Sequence, residues 1–290
     1  MNIVVASGKG GVGKSMIASS LAILFSKEKS LVAVDCDVDT QNMSIWLGIE
    51  DMKKGEKISV SETAEIDETK CIKCGKCISV CRYDAIKEFE GVMKVNHFLC
   101  EGCGTCEIVC PASAIKTIPV DNAFEIEGKA KQGFEILGAQ LFPGRTGSGK
   151  IVSMLREKAR QKNKEITILD SPAGIGCPVT ASITNTQFSV LVTEPTPSGL
   201  SDLKRVLLVV EHFKVPFGII INKWDINEEF SKKIVDFAGK NLLGKISYDK
   251  KIIESLINMK PIIESNGKTT GEIKKIFFKI KERIGGEINE

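Results

Sequence analysis

Gly8-Lys9-Gly10-Gly11-Val12-Gly13-Lys14-Ser15 sits between an apolar run, Ile3 to Ala6, and a segment from Lys14 to Lys27 in which Ile17, Leu21, Leu24 and Phe25 share a helical face. Glycines at these positions let backbone N–H groups turn inward around an anion at a helix N-terminus. A lysine reaches the outer phosphates, and a hydroxyl serves Mg²⁺. Gly8, Gly13, Lys14 and Ser15 satisfy the G-x4-G-K-[ST] spacing of a nucleotide phosphate loop. Leu31 to Val34 forms a second apolar run and closes on Asp35-Cys36-Asp37. Strand, loop, helix and strand in this order open a parallel sheet covered on both faces.

The rhythm breaks after that. Residues 51–68 are polar and charged, and residues 69–118 hold an internal repeat of period 29: Cys71/Cys100, Cys74/Cys103, Cys77/Cys106 and Cys81/Cys110, with Ala85-Ile86 matching Ala114-Ile115. Such a repeat predicts two copies of one small unit packed together. Apolar strands then resume at Ile166–Leu169, Phe188–Val192 and Phe217–Ile221, with a short one ending at Ile246. Helices are predicted over Ser198–Phe213 and Glu272–Arg283. The polar signals follow strand carboxyl ends, where open α/β sheets bind ligands. The expected fold is α/β, a mostly parallel doubly wound sheet formed by residues 1–60 and 119–290, interrupted by a small α+β insert at 61–118.

The chain has 290 residues, 42% hydrophobic and 27% charged, with a net charge of +3, too small to argue for a nucleic-acid partner. No apolar run reaches a membrane span. Asn2 to Ala6 reads as a strand rather than a signal peptide, so a cytoplasmic location is expected. Eight of the ten cysteines fall within 40 residues at ligand spacing. Metal binding is therefore expected in place of disulfides. In C-x2-C-x2-C-x3-C, three thiolates on one tight turn take three iron corners of a 4Fe–4S cluster. Zinc sites instead pair two C-x2-C knuckles. The insert resembles a bacterial-type two-cluster ferredoxin, in which the fourth cysteine of each run serves the other cluster. The resemblance implies one cluster on Cys71, Cys74, Cys77 and Cys110, and a second on Cys100, Cys103, Cys106 and Cys81. Cys110-Pro111 keeps the usual proline, whereas Cys81 is followed by Arg82. Arg82 is expected to raise the potential of the second cluster relative to the first.

The extra lysine, Lys9, makes the loop similar to the deviant phosphate loop of the MinD/ParA/Mrp ATPases and of the nitrogenase iron protein. The resemblance implies that Lys9 reaches the phosphates of the other subunit in a dimer and stabilises charge as the γ-phosphate leaves. It further implies that Asp37 orients or activates the attacking water and that Asp35 braces the magnesium shell. Asp170-Ser171-Pro172-Ala173-Gly174 resembles the family's switch II motif, with Asp170 holding Mg²⁺ through water and the Gly174 N–H meeting the γ-phosphate. Asn222-Lys223-Trp224-Asp225 has the form N-K-x-D, in which Asn222 hydrogen-bonds the base, with the Tyr248-Asp249 segment as the other wall. The motif alone suits guanine as well as adenine; the family implies ATP.

Gly144-Arg145-Thr146-Gly147-Ser148-Gly149-Lys150 imitates a phosphate loop but ends in Ile151, without the magnesium hydroxyl. It is expected to start a helix through Leu155 to Ala159. Cys36 reads as a buried small residue. Cys177 follows Asp170 at the spacing of an intersubunit ligand in the nitrogenase iron protein, but it has no second cysteine to match and is expected to begin a helix. The stripe Ile273, Ile276, Phe277, Ile280 and Ile284, faced by Lys274, Lys275, Lys279, Lys281 and Arg283, fits a helix docked on the sheet or a membrane-surface helix. Docking is expected. The whole chain resembles a MinD/Mrp-superfamily ATPase with an inserted ferredoxin domain. That implies ATP, Mg²⁺ and two 4Fe–4S clusters as cofactors. It also implies a homodimer, or a heterodimer with a related ATPase, formed on ATP binding, and a redox or iron–sulfur acceptor partner. Redox coupling, cluster assembly and MinD-like spatial organisation are the three functions it allows.

Overall fold

The computed structural model describes residues 1–286. Its elements run β1 (Asn2–Ser7), α1 (Lys14–Phe25), β2 (Leu31–Asp35), α2 (Met43–Trp46), β3 (Lys53–Ile58), β4 (Ser61–Ile66), α3 (Lys76–Val80), β5 (Ile86–Phe89), β6 (Val92–Val95), α4 (Thr105–Ile108), β7 (Ile115–Val120), β8 (Ala123–Lys129) and β9 (Glu135–Leu141). They continue with α5 (Ser148–Gln161), β10 (Ile166–Ala173), α6 (Cys177–Ile183), β11 (Phe188–Thr193), α7 (Pro197–His212), β12 (Phe217–Asn222), α8 (Glu228–Ala238), β13 (Leu242–Ile246), α9 (Lys250–Ile257) and α10 (Lys268–Gly286).

A nine-stranded sheet has the order β13-β12-β11-β1-β10-β2-β9-β8-β3. Six of its neighbouring pairs, from β13·β12 through β2·β9, are parallel. Its central strands are rich in Val, Ile and Leu because both faces are covered; every residue of β2 and β11 is buried. The register sets Asp35 beside Asp170 at the ends of β2 and β10. Residues 51–68 and 119–145 carry no clear strand signal, yet they supply β3, β4, β8 and β9. β3 is Lys-Lys-Gly-Glu-Lys-Ile, exposed except at Ile58. Charge of this kind blunts a sheet edge against stray pairing, and it hides the apolar alternation a strand would otherwise display.

The chain packs as two compact units, one of residues 1–55, 125–140 and 148–290, and a second of 56–124 and 141–147. The second unit is therefore wider than the expected 61–118. β4 pairs with β7 over its full length, Ser61 opposite Val120. The buried Asn122 accepts from the Val60 and Ser61 amides and donates to the Thr146 carbonyl, drawing 141–147 into the same unit. In this unit β5 and β6 form a hairpin across Glu90-Gly91, both with positive φ, as a tight two-residue turn requires.

The stripe of α10 is buried in the core of the first unit, with Ile273, Ile276, Phe277 and Ile280 all at most 3% exposed. Phe277 meets Phe25 edge to face at 4.7 Å. Among the described residues no helix is long and apolar enough to cross a membrane.

Candidate functional site

The glycine loop leaves β1 and enters α1, whose N-cap is Gly13 in the left-handed region (φ 92°). A β-carbon on Gly13 would fall 2.3 Å from the Asn222 Nδ2, and one on Gly8 would fall 2.0 Å from the Asp202 carbonyl oxygen. Glycine is required at both positions by close backbone approach. Lys14 is buried, and its Nζ donates to the Asp170 Oδ1 at 3.0 Å. Burial alone would depress the Lys14 pKa; the charge and hydrogen bond of Asp170, with Asp35 and Asp37 behind, outweigh it and raise the value. The other Asp170 oxygen, Oδ2, is buried with no hydrogen-bond partner. With the Ser15 hydroxyl one residue beyond Lys14, this donor set fits a hydrated Mg²⁺ ion, which takes oxygen ligands and keeps several waters.

Asp35 is fully enclosed. Its Oδ1 accepts from the Asp37 amide, and its Oδ2 from the Asn42 and Met43 amides at 3.1 and 3.0 Å. These bonds assign Asp35 to anchoring the 36–43 loop, beyond the magnesium role expected of it. Burial, reinforced by the neighbouring Asp170 charge, pushes its pKa up to about 8. Asp37 is half-buried, its pKa raised by burial, and its Oδ1 accepts from the Thr40 amide. Cys36 is buried, and burial pushes its thiol pKa up, the setting of an inert cysteine.

Lys9 points to Glu194, Nζ to Oε1 at 2.7 Å. Glu194 directly follows β11, and its other oxygen lies 3.8 Å from the Lys223 Nζ. No motif marked Glu194; its one sequence signal is its place just past a buried strand, the edge where β1 and β2 also present their polar residues. β10 runs through Asp170 to Ala173, four residues past the expected Leu169, because Ala173 still pairs with Ser7. The next amide, Gly174 N–H, donates to the Ser7 carbonyl at 2.9 Å, and Gly174 has φ 99°. Asn222 is engaged differently from the base-reading role: Nδ2 donates to the Val12 carbonyl at 2.7 Å, and Oδ1 accepts from the Lys223 amide. The Nδ2 braces the loop, and the Oδ1 is taken up by the turn after β12. Asp225 accepts from the Tyr248 amide at 2.7 Å, which does join the two expected walls. The imitation loop is a turn leading into α5, with Gly147 at φ 99°. Cys177 is exposed at the first position of α6.

In the second unit the two cysteine runs fold alike. Positions 73 and 102, 75 and 104, and 84 and 113 all have positive φ, each pair one period apart. Cys71 N–H bonds the Asp67 carbonyl as Cys100 N–H bonds that of Asn96. Two cavities result. One is lined by Cys71, Cys74, Cys77 and Cys110, and the other by Cys100, Cys103, Cys106 and Cys81, so the last cysteine of each run faces the other run's cavity. They hold about 320 and 350 Å³ of unfilled space, mouths included. All ten cysteines are free thiols. Among the described residues no three His, Cys, Asp or Glu side chains converge as ligands of a single metal ion do. Four thiols around each cavity instead suit the corners of a larger iron–sulfur core, so the donor set fits a 4Fe–4S cluster. The core here supports the fit. Ala64, Cys77, Ile86, Met93, Cys106 and Ile115 form a buried cluster, with Cys71, Cys81, Cys100 and Cys110 packed around them, and Ile58, Ala85, Ala114 and Ala123 are buried besides. A core this small seldom holds a unit together without a metal or another staple. Arg82 is exposed and does not line the second cavity, so its expected effect on that site lacks a contact.

The family model described as "CobQ/CobB/MinD/ParA nucleotide binding domain" matches residues 3–262. An uncharacterised protein of Methanocaldococcus jannaschii is 39% identical over 284 residues, 98% of each chain. An iron–sulfur cluster carrier protein of the same organism is 22% identical over 303 residues, covering 98% of this chain and 85% of the other. The septum site-determining protein MinD complexed with Mg-ADP from Pyrococcus horikoshii OT3 superposes with a TM-score of 0.61 at 18% identity, covering 98% of this chain and 97% of that one.

Proposed function

We propose that this chain, which belongs to the CobQ/CobB/MinD/ParA nucleotide-binding domain family, binds and hydrolyses ATP as a dimer and couples it to electron transfer through two 4Fe–4S clusters. The observation that carries the reading is the crossed pair of cysteine sets around two cavities, in a chain whose other unit holds a complete phosphate loop. Bound at the cavities, the clusters supply one-electron redox chemistry. Cys71, Cys74, Cys77 and Cys110 hold one, and Cys100, Cys103, Cys106 and Cys81 the other. Eight ligands for two full clusters favour resident electron carriers over a delivered cluster. Anaerobically purified protein is expected to contain about eight irons per chain, with a matching amount of acid-labile sulfide. Tightly bound zinc in place of iron would overturn the assignment.

In the nucleotide site, Lys14 and the loop amides bind the phosphates, Ser15 and Asp170 hold the hydrated Mg²⁺, and Asp37 orients the attacking water. Asn222 and Lys223 brace the loop, and the Tyr248-Asp249 segment, held by Asp225, walls the adenine. Lys9 leaves Glu194 to reach the phosphates of the other subunit. A Lys9→Ala chain is expected to keep ATP affinity within a few-fold while hydrolysis falls about 10³-fold or more, the scale of a trans-acting cation. Equal turnover by wild type and variant would contradict that role.

Coupling has a covalent route. After the second unit the chain forms β8 and β9, and β9 pairs with β2, setting Val34 opposite Leu137. Gln41, in the loop carrying Asp37, donates to the Ala139 carbonyl of β9. The nucleotide loop of the first unit is thus tied to a strand that continues at Leu141 into the second. The second reading is a cluster-assembly or carrier role, which the similarity to the Methanocaldococcus carrier favours. Transfer of iron to an apo-acceptor on ATP addition would establish it in place of electron transfer. A MinD-like spatial-organising role is in keeping with the similarity to MinD, but it would need a membrane or partner contact other than the α10 stripe, which packs in the core.

A further inference from the structure

The two cavity mouths differ in charge. Lys73 and Lys76 line the first, with Ile72, and no acidic side chain does. Glu101 lines the second, and no basic side chain does. One repeat period on, Lys73 becomes Gly102 and Lys76 becomes Thr105. Both lysines sit where local structure disfavours them. Lys73 has φ 57°, the left-handed region that suits glycine, and its counterpart Gly102 has φ 63°. Lys76 opens α3, where a helix favours acidic side chains. Among the described residues neither lysine has an ion-pair partner. A strained residue kept at the mouth of a site points to a role there. Ile72 is 64% exposed, and the adjacent Cys74 is also exposed. An apolar centre rimmed by free cations is the composition of a protein docking patch.

We propose that this mouth is the docking site for an acidic electron-carrier protein. The proposal rests on the reading that Cys71, Cys74, Cys77 and Cys110 hold a cluster. Lys73 and Lys76 attract the carrier's carboxylates and steer its approach, while Ile72 packs at the centre. A reduced cluster held there would give up one electron to the carrier's oxidised cofactor; no bond in this chain would be made or broken. The second mouth, carrying Glu101, repels the same carrier.

The test uses anaerobically purified holoprotein, reduced with dithionite and freed of the excess, mixed in a stopped-flow instrument with oxidised flavodoxin, an acidic carrier. A basic c-type cytochrome serves as the opposite probe. The variants are Lys73→Gly, which relieves the strained backbone while removing the charge, and Lys73→Gly/Lys76→Gln. The double variant is expected to keep its iron and thermal stability, to reduce flavodoxin about 10-fold more slowly at low ionic strength, and to lose the wild-type salt dependence. Cytochrome reduction is expected to be undiminished. An unchanged flavodoxin rate at full iron content overturns the docking site alone, as does an equal slowing with both probes. Wild-type protein free of iron overturns the cluster reading and the docking site together.

Discussion

A Lys14→Ala chain is expected to lose MgATP binding and much of its folding stability at once. The ammonium is buried and bonded to Asp170 at 3.0 Å, with Asp35 beside it in register. Removing it leaves an uncompensated carboxylate in the core, at a cost of about 3–5 kcal/mol. It also removes a charge-assisted bond to phosphate, worth about 1.5–3 kcal/mol, or about 10- to 150-fold in affinity. The two effects separate in a double variant. Lys14→Ala/Asp170→Asn removes the stranded charge, so urea unfolding is expected to recover most of the lost stability. MgATP binding, read by calorimetric titration, is expected to stay about 10-fold or more weaker than in wild type. Recovery of ATP binding in the double variant would mean that Lys14 only neutralises Asp170.

Cys110→Ser is expected to strip the cluster held mainly by the first cysteine run, although Cys110 closes the second. The reason is the crossing: Cys110 lines the cavity of Cys71, Cys74 and Cys77. Iron is expected to fall from about eight to about four per chain, and the remaining signal in reduced-state electron paramagnetic resonance to lose its cluster–cluster coupling. Cys106→Ser is the matched comparison. It strips the other site, so its residual spectrum is expected to differ from that of Cys110→Ser. If the two variants give the same residual spectrum as each other, the crossed assignment fails. Cys110 also accepts the Ala114 N–H at 3.3 Å, so a modest loss of stability in the second unit accompanies the substitution.

Much of the sheet was legible because its strands are buried on both faces. β1, β2, β10, β11 and β12 are mostly apolar and almost wholly buried, and the polar groups of the nucleotide site follow them. The strands missed were those whose sequences serve other ends. β3 carries edge charge. β9 is interrupted by Gly138, where a β-carbon would meet the Gln41 amide nitrogen at 3.1 Å. In the site, residue identity announced Lys14 and Asp170, but it could not announce which partners they meet. Asn222 belongs to a motif that suggests base reading, and only the fold turns its amide toward the Val12 carbonyl. Glu194 has no motif at all and becomes visible once β11 is seen beside β1. The cysteine spacing carried the repeat, and the resemblance to a two-cluster ferredoxin implied the crossed arrangement of the last cysteines. The lysines of the first mouth stand out only when the φ of Lys73 and the cavity lining are known.

Nucleotide and redox state sharing one chain is the centre of this account, and linkage makes the claim measurable. A ligand shifts an equilibrium only through unequal affinity for its states, and the shift is reciprocal. The direct measurement is the MgATP affinity of the air-free oxidised protein against that of the dithionite-reduced protein, at the same salt and pH. The two affinities are expected to differ by about 5- to 150-fold, the usual range of allosteric coupling. Equal affinities in the two redox states would contradict the coupling and leave the cysteine-rich unit a passenger on an ATPase.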